Sequence, residues 1–222
     1  MVLNIIMQPL VILGYNLFFG EDDEQISYIK ENDYDILLLS ETSEMINKKL
    51  DNYYGDKVES HCGYTFIGIN KKLNFEILNM FKSTGIIIVH LKIYSHEMVI
   101  VSVHLAPYKK NAKIRNIQLF KLNELLEDNN LQHLPLIIGG DTNMTDDEDD
   151  TIKEYNLIDV YDNKHYLTYP NREFKDERLT FVPKNNFRYD RFFIKNCIAN
   201  NFKTIDNKNS DHLAISMIVN LD

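Results

Sequence analysis

Four apolar segments follow one another between residues 64 and 104 (64–69, 75–81, 85–94 and 98–104), separated by short breaks such as 70–74 and 95–97. Runs of this length, rich in Ile, Val and Phe and bounded by Asn, Lys, Ser and Gly, predict strands joined as hairpins. Further apolar runs at 11–18, 35–40, 136–139, 188–195 and 213–219 predict more strands. Helix signals are fewer. Acidic residues open 21–32, where the helix dipole favours them, and 42–50 reads as a short helix. Ile114, Ile117, Leu119, Leu122, Leu125 and Leu126 recur at helical spacing over 113–127. Hairpins mixed with a few helices do not build a repeated βαβ chain. They predict a mixed α/β (α+β) protein of two packed β-sheets with helices outside.

A chain of 222 residues can enclose one core, so residues 1–222 read as a single domain. Its net charge of −9 argues against coating nucleic acid through a broad basic face. A compact phosphate site remains open to it, because a bound divalent cation reverses the local sign. Cys62 and Cys197 lack zinc-site spacing and are too few for a disulfide framework. They read as thiols of a reducing compartment. The first twenty residues carry no charged side chain, yet Asn4, Gln8, Pro9, Gly14 and Asn16 interrupt them and no basic leader precedes them. The segment therefore predicts a buried strand rather than a leader or anchor, and the protein an intracellular location, not secreted and with no membrane partner.

Polar side chains gather just beyond the apolar runs: Asn16, Glu41, His104, Asp141, Asn143 and His212. Loops held by a rigid sheet are where function usually sits. Taken singly, each has a plain reading, as a turn cap, an Asx turn or a structural histidine. Together they form a set of carboxylates, amides and imidazoles suited to a phosphate ester and to Mg²⁺, which prefers hard oxygen ligands. Asp141 and Asn143 are two apart, so an extended backbone directs both to one side. An aspartate there can orient and deprotonate a water that Asn143 helps to hold. An imidazolium at His212, partnered by Asp190, can stabilise charge developing on phosphorus. Asp211 adds a carboxylate to the metal side or merely caps a turn. His104, Arg115 and Gln118 offer a wall of phosphate donors, against a solvated helix face for the last two. The acidic run 146–150 (Asp-Asp-Glu-Asp-Asp) reads as a solvated loop that would repel a phosphodiester.

In this order, Asn16, Glu41, His104, Gly140-Asp141-Thr142-Asn143, Asp190-Arg191 and Ser210-Asp211-His212 resemble the endonuclease/exonuclease/phosphatase superfamily over almost the whole chain. Within it, Asp141-Thr142-Asn143-Met144-Thr145-Asp146-Asp147-Glu148 is similar to the D-T-N-[LM]-x-D-x-E pattern of the 5′-tyrosyl-DNA phosphodiesterase 2 branch. Arg188-Tyr189-Asp190-Arg191-Phe192-Phe193 is similar to its R-F-D-R-I-F. Ser102-Val103-His104-Leu105 and Arg115-x-x-Gln118-Leu119 follow its S-H-L and R-x-x-Q-L. Thr168-Tyr169, or in competition Thr180-Phe181, stands where that branch has Thr-Trp. Gly14-Tyr15-Asn16 replaces T-W-N, Ser40-Glu41 replaces Gln-Glu, and the segment before Asp190 is shortened. These departures bear on substrate choice and leave the catalytic residue types in place.

The resemblance implies a four-layer αββα sandwich with a metal-dependent site at one end of the paired sheets. It implies that Glu41 binds Mg²⁺, with Mn²⁺ as a substitute, and Asp211 is the candidate second carboxylate on the metal side. Asp141 would activate water, and Asn143 and Asn16 would hold water and phosphate oxygens. His212, oriented by Asp190, would stabilise the transition state, and His104 and Arg115 would border the scissile phosphate. The expected reaction is hydrolysis of a 5′-tyrosyl nucleic-acid phosphodiester to leave a 5′-phosphate. The expected partner is nucleic acid with a 5′ adduct, DNA ahead of RNA, handled by a monomer that stacks bases on aromatics such as Tyr166, Tyr169 or Phe174. Competing readings are another nuclease, an abasic-site endonuclease or an inositol-phosphate phosphatase of the same fold. The last lacks support from its Trp-Cys before Asp-Arg, which is Arg188-Tyr189 here. A binding protein without turnover is a third reading, but none of Glu41, Asp141, Asn143 and His212 is missing.

Overall fold

The computed structural model describes residues 9–19, 23–160, 168–169, 187–206 and 209–221. In chain order the first half contains Leu10–Asn16 (β1), Asp23–Glu31 (α1), Ile36–Thr42 (β2), Ile46–Lys49 (α2), Tyr53–Glu59 (β3), Tyr64–Asn70 (β4), Phe75–Ser83 (β5), Ile86–Ile93 (β6) and His96–His104 (β7). The second half contains Ala112–Asp128 (α3), Leu136–Asp141 (β8), Asp149–Glu154 (α4), Ile158–Asp159 (β9), Asp190–Lys195 (β10), Ile198–Ile205 (β11) and Ala214–Asn220 (β12).

The strands form two six-stranded sheets, ordered β11-β12-β1-β2-β4-β3 and β5-β6-β7-β8-β10-β9. Each is antiparallel except for its central pair, β1 with β2 and β7 with β8, which run parallel. Side chains alternate across each strand and so divide among three cores. Ile12, Ile36, Leu38 and Ile67 of the first sheet meet Ile87, Val89, Ile100, Ile137 and Phe192 of the second. On the outer face of the first sheet, Leu13, Leu37 and Leu39 pack on Ile26 and Ile29 of α1. On the outer face of the second, Val99, Val101 and Ile138 pack on Leu119, Leu122 and Leu126 of α3 and Ile152 of α4. The layers are therefore helix, sheet, sheet, helix. Because the central strands are buried on both faces, they read as unbroken apolar runs.

Several boundaries differ from the sequence expectation. Leu17 and Phe18 lie beyond β1, Thr42 ends β2 instead of opening a helix, and Arg188 and Tyr189 precede β10. Three strands left no readable signal. The edge strand β3 (Tyr-Tyr-Gly-Asp-Lys-Val-Glu) mixes charges with a glycine, and the edge strand β11 is polar and broken by a bulge between Asn200 and Lys203. Such features blunt an exposed edge and erase the apolar alternation. The short β9 has only two residues. The start of the uncharged N-terminal stretch lies outside the described residues; its later part, from Leu10, is the buried strand β1. Among the described residues no helix is long and apolar enough to cross a membrane.

Candidate active site

Four parallel strand ends meet at one edge of the sandwich: β1 ends at Asn16, β2 at Thr42, β7 at His104 and β8 at Asp141. Crevices outside the carboxyl ends of parallel strands are where open sheets bind ligands. Ser40 ties the two sheets together at this edge, its Oγ donating to Val103 O (3.3 Å) and accepting from Asp141 N (3.4 Å). Gly140 is needed just before Asp141. Its φ of +126° suits only glycine, and a Cβ there would meet the Val103 carbonyl of the neighbouring parallel strand. Glu41 sits at an irregularity in the β2–β4 register with φ +52°. A non-glycine residue in that conformation costs about 1–3 kcal/mol, a strain found most often at functional positions.

Asp141 is the hub. Its Oδ2 accepts from Asn16 Nδ2 at 2.9 Å and lies 3.8 Å from His104 Nε2 and 4.0 Å from His212 Nε2. Its Oδ1 accepts from Asn143 N at 2.9 Å. Asn16 is fully buried and donates the same Nδ2 to Glu41 Oε1 at 3.1 Å, while Phe18 N donates to its Oδ1 at 2.9 Å. The amide is thereby fixed with its nitrogen toward the two carboxylates. Asn143, at φ +50°, donates Nδ2 to Leu105 O (3.1 Å) and so joins the turn after β8 to the segment after β7.

The two imidazoles are held in different states. His212 Nδ1 lies 2.7 Å from Asp190 Oδ2, and Thr168 Oγ1 accepts from Asp190 N at 2.9 Å. Burial opposes a charge on His212, but Asp190, Asp211 and Asp141 outweigh it and hold its pKa well above the ordinary value. His104, equally buried and set against Ser60 Oγ (3.0 Å), is pushed down by burial and stays neutral. Burial pushes Glu41 up to about 7, opposed by the charge of His212 and the Asn16 hydrogen bond and assisted by Asp141 and Asp211.

Two groups of ligating atoms lie within 4.8 Å of one another: Glu41, His104 and Asp141, and Asp141, Asp190 and His212. Asp211 belongs to neither group, but it is buried and its Oδ1 has no hydrogen-bond partner. Crowded carboxylates with a reluctant Glu41 and an orphaned oxygen fit a hard divalent cation, which would relieve their mutual repulsion.

No protein-family model matches the sequence, and no curated protein matches it. Solved structures do. A D. rerio TDP2 structure complexed with single strand DNA product superposes with a TM-score of 0.77 at 17% identity, over 96% of this chain and 100% of that one. An endonuclease/exonuclease/phosphatase protein from Bacteroides vulgatus gives 0.77 at 14% identity, over 97% and 100%. A Bacteroides thetaiotaomicron mannosyl-6-phosphatase gives 0.69 at 16% identity, over 96% and 100%. The fold is that of the endonuclease/exonuclease/phosphatase superfamily.

On this fold the chain brings together Asn16, Glu41, His104, Asp141, Asn143, Asp190, Asp211 and His212 at one edge. Arg115 is a correction. Its guanidinium is fully buried and committed, to Glu148 by two bonds (2.9 and 2.6 Å), to Ala106 O (2.7 Å) and to Tyr108 O (2.9 Å). It braces the loops around the site rather than offering itself to a phosphate. Gln118 is likewise spent, accepting from Ala106 N and donating to Thr84 O. The acidic run is also not a bare solvated loop. A capping box of Thr145 and Glu148 opens it, and it leads into α4. Its carboxylates meet Lys109, Arg115, Lys153, Arg188 and the buried Arg191. The sequence showed the run of acids but not the dispersed cations that answer it.

Aromatic residues close one flank. Tyr169 stands edge-on to His212 (4.8 Å between ring centroids), and Phe187 stacks on Tyr189 (5.0 Å, 13°). Tyr166, Phe174 and Thr180-Phe181 lie outside the described residues. Ser210 was legible only as part of Ser-Asp-His. Its Oγ donates to Asn16 O (2.7 Å) and accepts from His212 N (3.1 Å), coupling the last turn to the first strand.

Proposed function

We propose that the protein is a Mg²⁺-dependent phosphodiesterase that hydrolyses a 5′-tyrosyl linkage to nucleic acid, DNA in preference to RNA. The observation that supports this most is the position of Asp141 between Asn16, a neutral His104 and a cationic His212, with Glu41 alongside. The D. rerio TDP2 complex with single strand DNA product lends the substrate class.

In this reading Asp141 accepts a proton from the attacking water while Asn16 and Asn143 hold its two oxygens in place. The water oxygen bonds to phosphorus as the bond from phosphorus to the tyrosyl oxygen breaks. His212, whose Nδ1 is taken by Asp190, donates from Nε2 to a phosphoryl oxygen as charge builds. Neutral His104 offers Nε2 as a further contact at the same edge. Glu41 and Asp211 would hold a divalent cation, Mg²⁺ or Mn²⁺, which would supply neutralisation of the negative charge that builds during hydrolysis. The leaving group is a phenolate of pKa about 10, so it needs less acid assistance than an alkoxide. Tyr169 and the Phe187–Tyr189 stack supply apolar faces for a base. The protein works as an intracellular monomer.

The test is a side-by-side assay with Mg²⁺ of a 5′-phosphotyrosyl oligonucleotide, an abasic duplex, a soluble inositol phosphate and mannose 6-phosphate. Preferential release of tyrosine is expected. Preference for a sugar or inositol phosphate would replace the proposed substrate.

A further inference from the structure

The segment that leaves the site at His104 passes Leu105, Ala106 and Pro107 and emerges at Tyr108. This ring is 69% exposed, the highest of the large apolar side chains among the described residues. Its backbone adopts φ +74°, an uncommon conformation for a bulky residue that persists where the surroundings enforce it. They do so here. Buried Arg115 donates to Ala106 O and Tyr108 O, and Asn111 N donates to Tyr108 O at 2.9 Å. A braced backbone thus presents an aromatic face to solvent without burying it.

Cations accompany the ring. Lys110 Nζ lies 5.8 Å from its centroid, and Lys113 is exposed on the first turn of α3. Among the described residues neither lysine forms an ion pair, whereas Lys109 is taken up by Asp147 at 2.8 Å. The chain as a whole carries −9, so unpaired cations beside an exposed ring run against its general charge. Tyr108 is four residues past His104, within about 14 Å even if the chain were fully extended.

We infer that Tyr108, Lys110 and Lys113 form the track for the single nucleic-acid strand that trails away from the scissile phosphate. A base stacks on the Tyr108 ring, and the flanking phosphates meet Lys110 and Lys113. This rests on the reading of the site as a nucleic-acid phosphodiesterase. A polyanion with flat faces is the partner that an open ring and two unneutralised cations select.

The experiment measures binding of a 5′-phosphorylated oligo-dT strand, the product of the proposed reaction, to the whole protein with Mg²⁺ by fluorescence anisotropy across a salt series. Tyr108→Ala is expected to weaken binding about tenfold, and Tyr108→Phe to restore it. Replacing Lys110 and Lys113 together by Ala should lower the slope of log affinity against log salt by about 1.4, and replacement by Arg should preserve it. Melting temperatures should be unchanged, because all three side chains are exposed. Unaltered affinity and slope in the variants, or no binding by the wild type, overturns the inference. Release of tyrosine by a protein whose variants bind normally would sink this track alone. Binding through the track without cleavage of any nucleic-acid ester would sink the proposed activity alone.

Discussion

Asn16 and Asp141 stand 125 residues apart in the chain and share a buried hydrogen bond of 2.9 Å. It joins the end of β1 in one sheet to the end of β8 in the other, and the same Asn16 nitrogen also reaches Glu41 at 3.1 Å. The amide separates two carboxylates that would otherwise repel. Asn16→Asp should therefore cost more activity than Asn16→Ala, since it places a third carboxylate between them. Initial rates with Mg²⁺ check this, with circular dichroism as a control. Equal rates for the two variants would contradict it.

Arg115 gives a stability prediction. Its buried, bidentate pair with Glu148 joins the turn that carries Asn143 to the segment that follows His104. Arg115→Met should lower stability by about 3–5 kcal/mol, because it leaves a partly buried carboxylate without its cation and takes hydrogen bonds from the Ala106 and Tyr108 carbonyls. Urea denaturation measures it. A variant of normal stability with only a raised KM would return Arg115 to the role of phosphate contact.

The pH dependence follows from Glu41. Its pKa rises from 4.5 to about 7 on folding, so the metal-free folded state holds this proton more tightly than the unfolded one. The associated stability, about 3 kcal/mol, is present below pH 4.5 and lost as pH rises through 7. His212, also raised, acts in the same sense. His104 is lowered, so its contribution is lost instead as pH falls below 6.5. A bound cation favours ionised Glu41. The gain in Tm on adding Mg²⁺ should then be larger at pH 8 than at pH 6, as scanning calorimetry would show. An equal gain at both would detach Glu41 from the metal.

Gly140 tests how tightly the fold constrains the hub. Gly140→Ala forces a side chain into a left-handed conformation against the Val103 carbonyl. It should destabilise the protein by at least about 1 kcal/mol and reduce turnover by shifting Asp141. A neutral effect on both Tm and rate would remove the role given to this glycine.

The central strands were legible because burial on both faces leaves plain apolar runs, as in Leu136-Ile137-Ile138 and Ile36-Leu37-Leu38-Leu39. β3 and β11 were not, because exposed edges carry the polar residues that hide a strand. The site followed the same division. Asp141 and Asn143 stand two apart at a strand end, and that spacing can be read locally. The pairing of His212 with Asp190 across 22 residues could be anticipated as a partnership but not as a distance. Arg115 misled because an arginine on a helix face looks solvent-facing until the fold shows Glu148 and two carbonyls waiting for it. The braced Tyr108 had no signal at all, since positive φ at a tyrosine arises from tertiary contacts.

The most direct test of the account is the turnover of Asp141→Asn on a 5′-phosphotyrosyl single strand with Mg²⁺. A fall of about 10²–10³-fold with an unchanged circular dichroism spectrum is predicted. Release of tyrosine at the wild-type rate would contradict the assignment of Asp141 as the group that activates water.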